Sequence, residues 1–62
     1  MNEEEFIKAW NHITSIVKWV FISELGIIIA TDYEIEPNGL TLIMGLHVVA
    51  YRIPIDMVKK IW

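Results

Sequence analysis

Residues 15–26 read Ser-Ile-Val-Lys-Trp-Val-Phe-Ile-Ser-Glu-Leu-Gly, and the fold turns on how Trp19-Val20-Phe21-Ile22 within them is read. Upstream, Phe6, Trp10, Ile13, Val17 and Val20 recur at spacings of four and three. This is an apolar stripe at helical period, widened by Ile7, Ala9, Ile16 and Phe21. Carried through Trp19-Val20-Phe21-Ile22, the stripe makes one helix from residue 3 to about residue 25, with Gly26 as its C′ residue. The same four residues are β-branched or aromatic and also suit a strand. The helical reading follows the continuous stripe; the strand remains the alternative for residues 19–25. At the other end Asn2 is placed to cap the helix, and Glu3, Glu4 and Glu5 occupy a first turn that favours carboxylates. Trp19 and Ile22 would fall on the polar face shared with Lys8, Asn11 and Ser15, where two large apolar side chains need a partner.

Beyond Gly26, residues 26–36 and 40–53 read as two strands joined by Glu36-Pro37-Asn38-Gly39-Leu40. Asn-Gly between strand-forming runs signals a hairpin, because a type I′ turn needs positive φ at both central residues. Pro37 cannot donate to the closing pair, so a four-residue loop is the alternative, and both registers keep the same residues on each face. Ile27, Ile29, Thr31, Tyr33 and Ile35 are then expected beside Leu40, Leu42, Met44, Leu46 and Val48, covering the helix stripe. The opposite face carries Asp32, Glu34, Glu36 and Thr41 near the turn, and Ile28, Ala30, Val49, Tyr51 and Ile53 farther from it. Gly45 marks a bulge or bend in the second strand. Pro54, Asp56, Lys59 and Lys60 suit a short C-terminal helix whose stripe is Ile55, Val58, Ile61 and Trp62. The expectation is an α+β fold in the order α-β-β-α, as a single domain over residues 1–62, with a two-stranded sheet completed or covered by a second subunit.

Composition sharpens that last point. The chain is 55% hydrophobic in 62 residues and has no cysteine, so neither disulfides nor thiolate metal sites can brace it. Its mean hydropathy is +0.46, more apolar surface than so small a domain can bury alone. Association into a homodimer or higher oligomer would hide the remainder. A membrane span is disfavoured, since spanning takes about 20 apolar residues. The run from Ile13 to Ala30 is broken by Lys18 and Glu24. An acidic start at Glu3-Glu4-Glu5 is the reverse of a signal peptide, and a cytoplasmic location is expected. With net charge −3 and five scattered basic residues, the chain lacks the electrostatic footprint of a nucleic-acid binder.

Residues that could carry chemistry are few. His12 and His47 match no ligand spacing, no nucleophile stands beside a base, and no phosphate or dinucleotide loop is present. No enzyme activity, cofactor or metal is expected. Interface candidates are Trp19, Ile22, Tyr51, Ile53 and Trp62, because large apolar groups outside the helix stripe mark binding surfaces. Polar contacts to a partner or ligand are assigned to Asp32, Glu34, Glu36, His47 and Arg52. The function expected is that of a small acidic homo-oligomeric interaction protein that binds and inhibits, or scaffolds, another protein, in the manner of a phage-encoded inhibitor. A small-ligand binder with its site between subunits is the alternative, and a membrane-associated protein the next.

Overall fold

The computed structural model describes residues 1–62. Helix α1 spans Glu3–His12 and is followed by strands β1 (Lys18–Ile22), β2 (Gly26–Ala30), β3 (Asp32–Glu36), β4 (Gly39–Met44), β5 (His47–Ile53) and β6 (Val58–Ile61). A single 3-10 turn at Ile55–Met57 separates β5 from β6. Strands account for 52% of the chain, so the expected α-β-β-α order is overturned.

The helix begins as its sequence dictates. Asn2 Oδ1 accepts the Glu5 N–H at 2.8 Å and Glu5 Oε1 accepts the Asn2 N–H at 2.8 Å, a reciprocal cap. It ends at His12, not near residue 25, because Ile13 turns to extended backbone. Nearly every residue from Ile13 to Ile22 is β-branched or aromatic, and each loses χ1 freedom in a helix. Within β1 the burial alternates, with Lys18, Val20 and Ile22 inward and Trp19 and Phe21 outward.

The strands form two three-stranded antiparallel sheets, ordered β2-β1-β6 and β3-β4-β5. Only Thr31 separates β2 from β3, so one run of chain passes from the first sheet into the second. That single unpaired residue reverses which side chains face inward. Ala30 is buried and Ile28 half-buried in β2, whereas Tyr33 and Ile35 turn inward in β3. The expected continuous face from Ile27 to Ile35 is therefore broken, and Ile27 and Ile29 are exposed. The corner is pinned by Thr31, whose N–H donates to Ile43 O at 2.8 Å and whose Oγ1 accepts the Gly45 N–H at 2.8 Å.

Glu36 pairs with Gly39, leaving Pro37-Asn38 as the two-residue loop. The Asn38-Gly39 turn expected from sequence is thus displaced by one residue, which shifts cross-strand partners by two and keeps Tyr33 and Ile35 paired with inward residues of β4. Gly39 (φ +145°) is required, since a Cβ there would lie 2.6 Å from the Arg52 carbonyl carbon. The expected long second strand also divides. Met44 pairs with His47 across Gly45-Leu46, and Gly45 at φ +64° takes the first central position of a tight reversal.

The expected C-terminal helix is replaced by β6, which pairs antiparallel with β1. Trp19 and Trp62 exchange backbone hydrogen bonds at 2.7 and 2.9 Å. A short helix could not match the ladder that the open edge of β1 offers, nor bury Val58 and Ile61 so completely. The core comprises Phe6, Trp10, Val20, Ile22, Ala30, Leu40, Leu42, Ile53, Val58 and Ile61, with Tyr33 edge-on to Phe6 and Trp10 at 5.0 Å each. No helix is long and apolar enough to cross a membrane.

Candidate functional site: an exposed apolar sheet face

The strand alternation that buries Val20 and Ile22 aims Trp19 and Phe21 the other way, and the ladders decide their neighbours. Trp19 pairs with Ile29 and Phe21 with Ile27 on one side. On the other side Phe21 pairs with Lys60, and the Trp19 and Trp62 rings stack at 6.4 Å with an interplanar angle of 20°. Five large apolar side chains therefore share the outer face of β2-β1-β6, each 38–51% exposed. Lys60 stands among them, its Nζ 5.0 Å from the centre of the Trp62 ring. A sheet face exposed to water normally alternates to polar residues, and this one does not.

The free edges offer less. β6 has four residues, two of them lysines, and the Met1 amino group donates to Val58 O at 2.6 Å. β5 is longer, but its pairing with β4 shifts register twice and Arg52 has φ 51°. A short charged edge and a bulged edge both discourage strand addition. Of the other two edges, β3 carries Asp32, Glu34 and Glu36, while β2 (Gly26–Ala30) is uncharged and borders the side-chain face, which is the larger surface left open.

The structure separates the interface candidates. Trp19 and Trp62, 43 positions apart in sequence, are adjacent on this face. Ile22 and Ile53 belong to the core at 0% and 9% exposure and are not available to a partner. Their assignment to an interface is corrected: Ile22 faces inward because β1 is a strand, and Ile53 because it lies opposite Leu40. Tyr51 is exposed on β5, with the Arg52 guanidinium 4.9 Å from its ring.

Of the polar candidates, Glu36 and Arg52 engage each other. Arg52 Nε donates to Glu36 Oε2 at 2.7 Å, Thr41 Oγ1 donates to Glu36 Oε1 at 3.3 Å, and the Arg52 N–H donates to Thr41 Oγ1 at 3.2 Å. This network holds the distorted backbone at Arg52. Asp32, Glu34 and Glu36 share one side of β3, and Asp32 Oδ1 accepts the Tyr33 N–H at 2.8 Å. His47 is exposed at the start of β5, opposite Met44. No three His, Asp or Glu side chains converge as a metal-binding group would require. The one cavity, about 380 Å³, is an open depression between Glu3, Ile35, Glu36, Pro37, Pro54 and Ile55.

Phe21, Ile27 and Ile29 complete the face and were not singled out from sequence. The signal for Phe21 was the period-two alternation of Lys18–Ile22, which the helical stripe overlaid; Ile27 and Ile29 share the period of Tyr33 and Ile35 and were assigned with them to the inward face. The chain matches no family model, no curated protein and no solved structure.

Proposed function

We propose that this chain is a non-enzymatic interaction protein that associates with a second copy of itself through the outer face of β2-β1-β6. In that assembled form it would bind another protein, inhibiting or scaffolding it. The observation that carries the reading is the apolar, half-exposed face built by Trp19, Phe21, Ile27, Ile29 and Trp62. The stacked Trp19 and Trp62 rings supply the rigid apolar area typical of binding hot spots. Two such faces packed together would form a sheet-on-sheet layer like the interior of a sandwich. Lys60 at the rim remains free to reach solvent along the Trp62 ring. A chain without cysteine suits a reducing compartment, and the cytoplasm is the location we favour.

The test is native mass by light scattering for the full chain and for Phe21→Lys. A dimer or higher species of the 7.2 kDa chain, reduced to monomer by the lysine, is the expected result. A wild-type chain that is monomeric at high micromolar concentration would end the self-association reading.

A further inference from the structure

The apolar surface does not stop at the sheet face. Lys18 pairs with Ala30 at the end of the β1–β2 ladder, and Thr31 follows directly. Because the Gly45 N–H donates to Thr31 Oγ1, the β4–β5 turn is held at that same end of the molecule. The connection from α1 to β1 arrives there as well. Ser15 Oγ donates to Val17 O, and the Lys18 amino group donates to Ser15 O, which sets the path of Ile16 and Val17. Three separate elements thus bring Ile16, Val17, Met44 and Leu46 to the end of the sheet nearest Trp19 and Ile29.

Two of these side chains stand almost wholly in water: Leu46 is 96% exposed and Ile16 78%. Neither has work to do within the fold. A reversal with glycine at its first central position asks nothing apolar of the second. Leu46 occupies a site where a polar residue would serve equally, and Ile16 sits in a loop that needs only its backbone.

Area indicates what covers them. Taking about 200 Å² for a fully exposed large side chain, the five face residues present on the order of 400 Å². A stable protein–protein contact buries about 800 Å² on each partner, so the face alone falls short by roughly half. The four residues at the end present about as much again. Face and end together reach the size a specific dimer requires; Lys60 lies on the face, and Asp32 and His47 stand beside the end, next to Thr31 and opposite Met44.

We infer that the second copy seats on both surfaces, bending around the Thr31 corner, and that Leu46 is an anchor of the interface. This rests on the self-association proposed above, and the experiment separates the two. Sedimentation equilibrium would be run on the full chain, on Leu46→Lys and on Phe21→Lys, with thermal melting of each to verify folding. The exposure of Leu46 makes it a site where lysine leaves the monomer intact. The expected result is a dimer constant weakened at least tenfold by Leu46→Lys and also weakened by Phe21→Lys. If Phe21→Lys dissociates the dimer while Leu46→Lys associates as wild type, the end is not part of the interface and only the face reading survives. A wild-type monomer refutes both. Phosphatidylcholine vesicles provide the remaining arm. Co-sedimentation that Leu46→Lys abolishes, without any change in the dimer constant, would assign the end to lipid and overturn the inference.

Discussion

Phe21 and Ile22 are neighbours in sequence and opposites in the structure, and truncating each to alanine tests both the fold and the face. Ile22 is fully buried in the β1 ladder, among the inward side chains of both sheets. Its replacement removes three carbons at about 0.8 kcal/mol per buried methylene, roughly 2.4 kcal/mol. The cavity left behind adds to this, so the full cost is about 2–5 kcal/mol. A chain of 62 residues has roughly 3–9 kcal/mol of stability at the usual 0.05–0.15 kcal/mol per residue. Ile22→Ala therefore removes from about a fifth of the stability to all of it. Phe21 keeps 41% of its surface exposed on the outer face. Its truncation leaves no sealed cavity, and the monomer loses mainly strand preference and partial burial, about 1 kcal/mol. Its larger effect falls on association. Urea unfolding followed by tryptophan fluorescence at two protein concentrations a hundredfold apart distinguishes these. Ile22→Ala lowers the midpoint at both concentrations, whereas Phe21→Ala chiefly abolishes the rise of the midpoint with concentration. Equal losses at low concentration would mean that residues 18–22 do not alternate between core and surface, and the reasoning would fail at its first step.

Three further outcomes follow from local geometry. Gly39→Ala places a Cβ 2.6 Å from the Arg52 backbone at φ +145°, and strain plus overpacking is expected to cost about 2–5 kcal/mol, seen as a large drop in melting temperature. Asn2→Ala removes the reciprocal cap with Glu5 and is expected to cost about 1 kcal/mol; chemical denaturation showing no loss would dismiss the cap. Lys18 is 7% exposed; its amino group donates to Ser15 O and lies 4.8 Å from the centre of the Trp10 ring, with no carboxylate bonded to it. Exchanging it for methionine of similar volume is expected to leave stability unchanged or raised, and a fall of more than about 1 kcal/mol would show that the amino group contributes what its contacts do not account for.

Some features that depend on residues close in sequence could be read directly. Asn2, the three glutamates and the Phe6–Trp10 spacing begin the helix as expected, because capping and amphipathic burial are local effects. Asp32, Glu34 and Glu36 share a face because strand alternation survives a register error of two positions. The apolar surplus was equally plain in the composition. What escaped were decisions between distant segments. Val17, Val20 and Phe21 satisfy a helical period while Val20 and Ile22 satisfy a strand period, and pattern alone cannot separate the two. The choice was made by pairing β1 with β2 on one side and with β6 on the other. The same ladder drew the last residues out of the expected helix and set Trp62 beside Trp19. The reversal of facing at Thr31 likewise depends on Ile43 and Gly45, more than ten residues away in sequence. Composition by itself determined that this chain has more apolar surface than it can bury. Only the tertiary structure decided where that surface lies, because unpaired backbone at the edge of β1 gains its hydrogen bonds from whichever segment the fold brings alongside.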